Sequence, residues 1–309
     1  MSSPFPLLRL PRLVMFEVFK SLSIGEKIQL SLCSKKTLAQ FNNARLYSQK
    51  VHVHLDMTIE RIQVYPEDFK DWFQIGIHID RKIDNPTIQL FGRRIVPMYK
   101  TIKTYWKNLG EGFLCVTRHL LKMFHCEIST GKECWRNDFF QPVISELFEQ
   151  QVKFKTLTIR LYGSTDENLF WNQISNKFGL VKDLSISSVA NLGFSPVFIS
   201  WPQAITIMNS DWFTLETLWT CPCSFINLEN STLKHMDLNE ILRKWMSGGF
   251  PNLDLLKIHT LRFRDYREDI LGMDWMELSV MVIQTDDGLK KATFKTDHQS
   301  IEMSVSPFE

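Results

Sequence analysis

Between Leu10 and Phe41 apolar residues recur at spacings of three and four, the period of an amphipathic helix, and polar breaks cut the run into three short pieces. The first carries Val14, Met15, Val18, Phe19 and Leu22 behind Pro11, whose fixed φ and missing N–H suit a helix start. Ser23 followed by Glu26 is a capping-box pattern ahead of a second piece carrying Ile24, Ile28 and Leu32. Ser34 is placed to cap a third, with Leu38 and Phe41 on its inner side. About forty residues is close to the lower limit for an independent core, so three such helices cannot bury all these apolar positions among themselves. The surplus either docks on a partner or seals the end of a larger core.

Past residue 50 the period changes. Val51 to Leu55 and Ile59 to Val64 alternate with period two, as a half-buried hairpin does, and Trp72 to Ile79 alternates again. Residues 84–111 form a looser region broken by Pro86, Gly92 and Pro97; Phe113, Val116, Leu120 and Phe124 then trace one helix face, and Phe139 to Gln150 predicts a second helix. From Thr156 a theme repeats in which a short apolar strand is followed by a turn and a helix. The strands are predicted at Thr156 to Leu161, Asp183 to Ser187, Ala204 to Met208, Ser224 to Leu228 and Leu255 to Thr260. With Ile159, Ile186, Ile207, Ile226 and Ile258 as equivalent centres the spacings are 27, 21, 19 and 32. They straddle the range of leucine-rich repeats, whose units bury their faces only by stacking. The clearest unit starts at Asp237, paired with Glu240 as a capping box. It carries Leu238, Ile241, Leu242 and Trp245 inward and stops at Gly248 and Gly249 before Pro251. The chain reads as α/β: three helices over 1–48, a strand-rich connecting region over 49–150, and an irregular leucine-rich-repeat-like arc of short strands and helices over 151–309.

Pro6 with Leu8, then Leu10, Pro11, Val14, Val18, Phe19, Leu22, Ile28, Leu32 and Cys33, resemble the F-box, and the SLCSKKT of Ser31 to Thr37 is similar to the F-box families expanded in nematodes. Lys36 stands where many F-boxes carry tryptophan, which bears on the packing of the third helix. The resemblance implies that Pro6, Leu8, Leu10, Pro11, Val14, Val18, Phe19, Leu22, Ile28 and Leu32 dock on the Skp adaptor, and through it a cullin. The protein would then be the substrate-recognition subunit of an SCF-type cullin-RING ubiquitin ligase, with ubiquitin transfer done by other subunits. Further on, NSDWFTL at 209–215, STL at 231–233, DLNEILRKW at 237–245 and GGFPNL at 248–253 resemble the type 2 F-box-associated domain. That likeness implies capture of a protein substrate by a non-catalytic module, with the identity of the substrate left open. Trp201, Trp212 and Trp219, with the outward strand residues, are candidates for that recognition surface.

Composition narrows this without redirecting it. Hydrophobic residues make up 44% and charged residues 23% of 309, an ordinary globular balance that argues against extensive disorder. The net charge of +2 is unevenly spread: residues 1–50 hold eight Lys or Arg against Glu17 and Glu26, leaving −4 for the rest. A basic docking end speeds encounter with an acidic partner. Six cysteines with no regular spacing make no disulfide framework, and Arg9, Arg12 and Glu17 break the opening apolar run, so no signal peptide is read. The expectation is an intracellular protein, cytoplasmic or nuclear. Leu184 to Ser210 is uncharged, but Pro196, Pro202 and its serines argue against a membrane span.

Catalytic apparatus is not legible. Gly131-Lys132 is followed by Glu133 and lacks a phosphate loop's first glycine, and Gly193-Phe194-Ser195-Pro196-Val197 lacks the second glycine of a nucleophile elbow. Cys115 and His119 stand one helical turn apart with His125, Cys126 and Cys134 nearby, but no CxxC pair anchors them, so neither metal nor cofactor is predicted. The alternative function rests on 91–107, where Arg93, Arg94, Lys100, Lys103 and Lys107 interleave with Phe91, Tyr99, Tyr105 and Trp106. Cations among stacking rings suit a non-catalytic single-stranded nucleic-acid-binding or general scaffold protein.

Overall fold

The computed structural model describes residues 9–33, 35–43, 51–67, 70–79, 101–136, 138–189, 195–263, 270–273 and 275–308. They fall into two compact units, Met1–Lys153 and Phe154–Glu309. Among the described residues no helix is long and apolar enough to cross a membrane.

The first unit begins with helix α1 (Arg12–Ser21). Pro11 precedes its first turn, and the Pro11 carbonyl accepts the Met15 N–H at 2.9 Å. The capping box forms in both halves: Ser23 N–H donates to Glu26 Oε2 at 2.8 Å and Glu26 N–H to Ser23 Oγ at 3.3 Å. It opens α2 (Ile24–Cys33), which is followed by α3 (Lys35–Asn43). Ser34, expected to cap α3, lies outside the described residues. Phe19, Ile28 and Phe41 are buried where the helices meet, with the two phenyl rings 4.4 Å apart.

Strands β1 (Val51–Asp56) and β2 (Arg61–Pro66) pair as an antiparallel hairpin. Its second strand starts two residues later than the pattern predicts. Asp56 Oδ1 accepts the Thr58 and Ile59 N–H groups at 3.1 and 3.4 Å and draws Ile59 into the turn. β3 (Phe73–Ile79) runs antiparallel to β2, and β4 (Thr101–Trp106) parallel to β3. β4 lies inside the region expected to be loose. Its inward row is Ile102, Thr104 and Trp106, and the polar middle member hides the period; Thr104 is satisfied there, donating to the Gly76 carbonyl at 2.9 Å and accepting Trp106 Nε1–H at 2.8 Å. Helix α4 (Leu109–Phe124) then starts under an Asn108 cap, ahead of the predicted Phe113. It packs on β1, β3 and β4, and Gly112 permits the approach: a Cβ there would lie 2.6 Å from Ile77 and 2.7 Å from Trp106. β5 (Ile128–Thr130) adds parallel to β1, giving the order β5-β1-β2-β3-β4 within this unit. α5 (Phe140–Glu149) lies against α4.

In the second unit β6 (Phe154–Leu161), β7 (Val181–Ser188), β8 (Ala204–Met208), β9 (Phe225–Leu228) and β10 (Leu255–His259) lie side by side, parallel and in chain order. Register aligns Leu157, Leu184, Ile205, Ile226 and Leu256 in one row, and Ile159, Ile186, Ile207, Leu228 and Ile258 in the next. Leu228, not Ile226, is therefore the equivalent of Ile207, and the spacings become 27, 21, 21 and 30. The register is fixed just beyond the strands. Asn209 and Asn230, 21 residues apart, adopt φ of 59° and 50°, a left-handed conformation that asparagine tolerates. Asn209 Nδ2 donates to the Ser188 carbonyl at 2.5 Å and Asn230 Nδ2 to Asn209 Oδ1 at 2.8 Å, so each turn is tied to the one before.

Helices α6 (Thr165–Ile174), α7 (Leu215–Trp219) and α8 (His235–Met246) fill the connections. α8 begins before Asp237, whose Oδ2 accepts the Lys234 N–H at 2.7 Å; the cap is Asp237 on the residue three before it, not Asp237 with Glu240. After β10 the theme ends. The short α9 (Trp275–Leu278) leads to β11 (Val282–Gln284), β12 (Lys290–Asp297) and β13 (Ser300–Pro307), and β13 pairs antiparallel with β10. Within the unit the order is β6-β7-β8-β9-β10-β13-β12-β11.

Candidate partner-docking surfaces

Helix α1 is apolar on two sides. Met15 and Phe19 face the core, while Leu13 is 80% and Val14 48% exposed on the other side. Pro11 is exposed, and Leu10, Val18, Leu22 and Leu32 are half-buried around them. Phe19 and Ile28, which the sequence groups with the docking residues, have no exposed surface and act as core, because an i, i+4 stripe on a short helix faces its own neighbours first. Pro6 and Leu8 lie outside the described residues. Leu13 was missed: it sits out of phase with the buried stripe, and that mismatch is the signal that could have found it.

The three helices are not loosely hung. Gly25 is buried with Phe73 of β3 directly over it, where an added Cβ would be 2.4 Å from the ring. Ile24 N–H donates to Asp71 Oδ2 at 2.6 Å. Ser31 Oγ donates to the Ile28 carbonyl at 2.7 Å, so its 2.7 Å contact with His119 Nε2 of α4 is one in which the imidazole donates. Burial, with Lys122 nearby, holds His119 below the ordinary histidine range and keeps that ring neutral. Burial also lowers Lys27, against the opposing pull of Asp71 and Glu26. Gly25→Val is expected to destabilise the first unit by about 1 to 3 kcal/mol through overpacking against Phe73, read as a lower unfolding midpoint in urea. An unchanged midpoint would show that Phe73 yields freely.

In the second unit the strands present a second surface. Opposite the buried rows, register sets Thr156, Asp183, Ala204, Phe225 and Leu255 side by side, and next to them Thr158, Ser185, Thr206, Asn227 and Lys257. A cleft of about 570 Å³ opens over this face, lined among others by Thr156, Asp183, Ala204, Thr206, Phe225 and Asp254. The three tryptophans lie elsewhere. Trp201 stacks on Phe198 at 4.2 Å, Trp212 donates Nε1–H to Ser188 Oγ at 2.9 Å, and both join a cluster with the buried Trp171, Phe178 and Phe213. Trp219 stands under Lys244 Nζ, 4.3 Å from its ring centre. None of the three lines the cleft.

The remaining candidates disperse. Among the described residues no group of three or more His, Cys, Asp or Glu is arranged to hold a metal. Burial pushes the Cys126 thiol up to about 12 and raises Cys115 and Cys134, which leaves them protonated and poorly nucleophilic. Cys134 Sγ–H donates to the Leu55 carbonyl at 3.1 Å. Of the basic aromatic stretch, 91–100 lies outside the described residues; Lys103 is exposed, but Trp106 is buried and unavailable for stacking.

With this geometry in view, known proteins give a consistent answer. The F-box domain family matches residues 7–49 and the F-box associated family, of the second type, residues 194–258. The chain is similar to Skn-1 dependent zygotic transcript 15 protein of Caenorhabditis elegans, 25% identical over 299 residues that span 88% of this chain and 84% of that protein. No solved structure matches it. The first family falls on the clamped helices and the second on β8 to β10, so the chain carries an F-box domain followed by an F-box-associated domain.

Proposed function

We propose that this protein is the substrate-recognition subunit of an SCF-type cullin-RING ubiquitin ligase, docking on the Skp adaptor through α1 and binding a protein substrate through the outward strand face of the second unit. F-box domains generally bind that adaptor and through it a cullin, and both families are typically non-catalytic. The observation that carries the reading is the second apolar side of α1, Leu13 and Val14, left uncovered while Met15 and Phe19 fill the core. We take Leu10, Pro11, Val14, Val18, Leu22 and Leu32, with Leu13, as the docking set, and Phe19 and Ile28 as its support. Each side chain fully covered by the adaptor contributes up to about 1.5 to 3 kcal/mol before the costs of association. The parallel rows of β6 to β10 support reading that array as leucine-rich-repeat-like, a scaffold whose outward residues vary without disturbing the core. Such a receptor works by holding a substrate near a charged conjugating enzyme, which raises effective concentration and needs no catalytic residue of its own. An intracellular setting follows from this role.

The test is retention of the purified adaptor. Leu10→Ala with Pro11→Ala is expected to weaken it about tenfold, one 1.4 kcal/mol step, without lowering the thermal midpoint. Full retention by the double variant would count against the assignment.

A further inference from the structure

The cleft on the strand face carries a chemistry that narrows the substrate, and the inference rests on the reading of that face as the capture surface. Ala204 is the smallest side chain in its row, set between Asp183 and Phe225 by register, and the hollow opens there. Its floor is apolar: Ala204 and Phe225, the latter 37% exposed. Asp183 and Asp254 also line it, both exposed, and among the described residues neither side chain has a hydrogen bond or ion pair. Thr156, Ser185, Thr206 and Ser224 add hydroxyls.

A second observation points the same way. Asn227 stands two residues beyond Phe225 on the same side of β9, next to the lining residue Thr206 in register but outside the lining itself, and among the described residues its buried Oδ1 has no donor. A buried acceptor without a donor is costly, and a ligand rich in N–H groups relieves it. The cations nearby do not cancel this pattern. Lys182 lines the cleft but leaves β7 on the opposite side of the pleat from Asp183. Lys257 lies one strand past Asn227, opposite Glu302, which also pairs with Lys295 at 3.1 Å.

We propose that the cleft takes an extended peptide segment of the substrate in which an arginine or lysine adjoins a large apolar residue. The cation meets one of the two carboxylates, Asp183 on β7 or Asp254 beside β10, the apolar side chain rests on Phe225 over Ala204 between them, and the segment runs past Thr206 toward Asn227. Two free carboxylates repel an anion, so acidic and phosphorylated segments are disfavoured.

Full-length protein would be panned against a phage-displayed library of random octapeptides. Expected is at least fivefold enrichment of Arg or Lys beside Phe, Tyr, Leu or Ile, lost when salt is raised to 0.5 M, lost on Asp183→Asn with Asp254→Asn, and abolished by Ala204→Trp. Because both aspartates are exposed, their replacement leaves folding intact, which a thermal melt checks. Acidic selected peptides, or basic ones that bind the double asparagine variant undiminished, overturn the proposal while sensitivity to Ala204→Trp keeps the capture surface. No enrichment, or binding indifferent to Ala204→Trp, overturns the surface and the proposal together.

Discussion

Val14→Asp is expected to reduce adaptor affinity about a hundredfold and to leave the fold intact, whereas Phe19→Ala, five residues along the same helix, is expected to lose the fold first. Val14 is 48% exposed and lies in the first turn of α1, where a carboxylate is favoured by the helix dipole, so stability changes by no more than about 0.5 kcal/mol. In an apolar interface the same carboxylate is desolvated without a partner, at about 3 kcal/mol or more, two decades of affinity. Phe19 has no exposed surface and lies 4.4 Å from the Phe41 ring; truncation there costs about 3 to 5 kcal/mol. Thermal unfolding and an adaptor titration on each variant separate the two. If Val14→Asp binds at wild-type strength, α1 is not the docking helix.

That contrast marks where the sequence is legible. A period of three to four announces α1 but does not say which apolar residues face a neighbour of the same chain, because Val14 and Phe19 both fit the stripe. Exposure decides, and exposure depends on α2, α3 and β3, which lie later in the chain. Strands with apolar inward rows were readable, and β8 falls on its predicted residues, Ala204–Met208. β4 was not, because Thr104 occupies a buried position by bonding to Gly76 and Trp106. The β9 register was misread for a related reason: Ile226 looks like Ile207, but the asparagine turns at 209 and 230 set the alignment, and polar turn residues carry no apolar signal. The pairing of β13 with β10, some forty to fifty residues away in the chain, is likewise nonlocal. Asp183 and Asp254 are 71 positions apart by number and meet in one cleft only through strand register.

Trp171→Ala is expected to lower the unfolding midpoint of the second unit by about 10 °C while the strand-face replacement Ser185→Ala shifts it by under about 2 °C. Trp171 is 1% exposed, makes edge contacts to Phe178 at 5.2 Å and Phe198 at 5.1 Å, and donates Nε1–H to the Val197 carbonyl at 2.9 Å. Removing a buried tryptophan costs about 3 to 5 kcal/mol, and in a unit of this size each 1 kcal/mol moves the midpoint by about 2 to 4 °C. Trp171→Phe restores the ring contacts but not the bond to Val197, so it should recover most of the loss. Ser185 lies on the outward face, half-exposed, where substitutions stay within about 0.5 kcal/mol. The two results together test whether the tryptophan cluster holds the scaffold and the opposite face is free for recognition. Equal, small shifts for both variants would mean that the aromatic cluster does not support the strands, and that the recognition surface must be sought again among Trp201, Trp212 and Trp219.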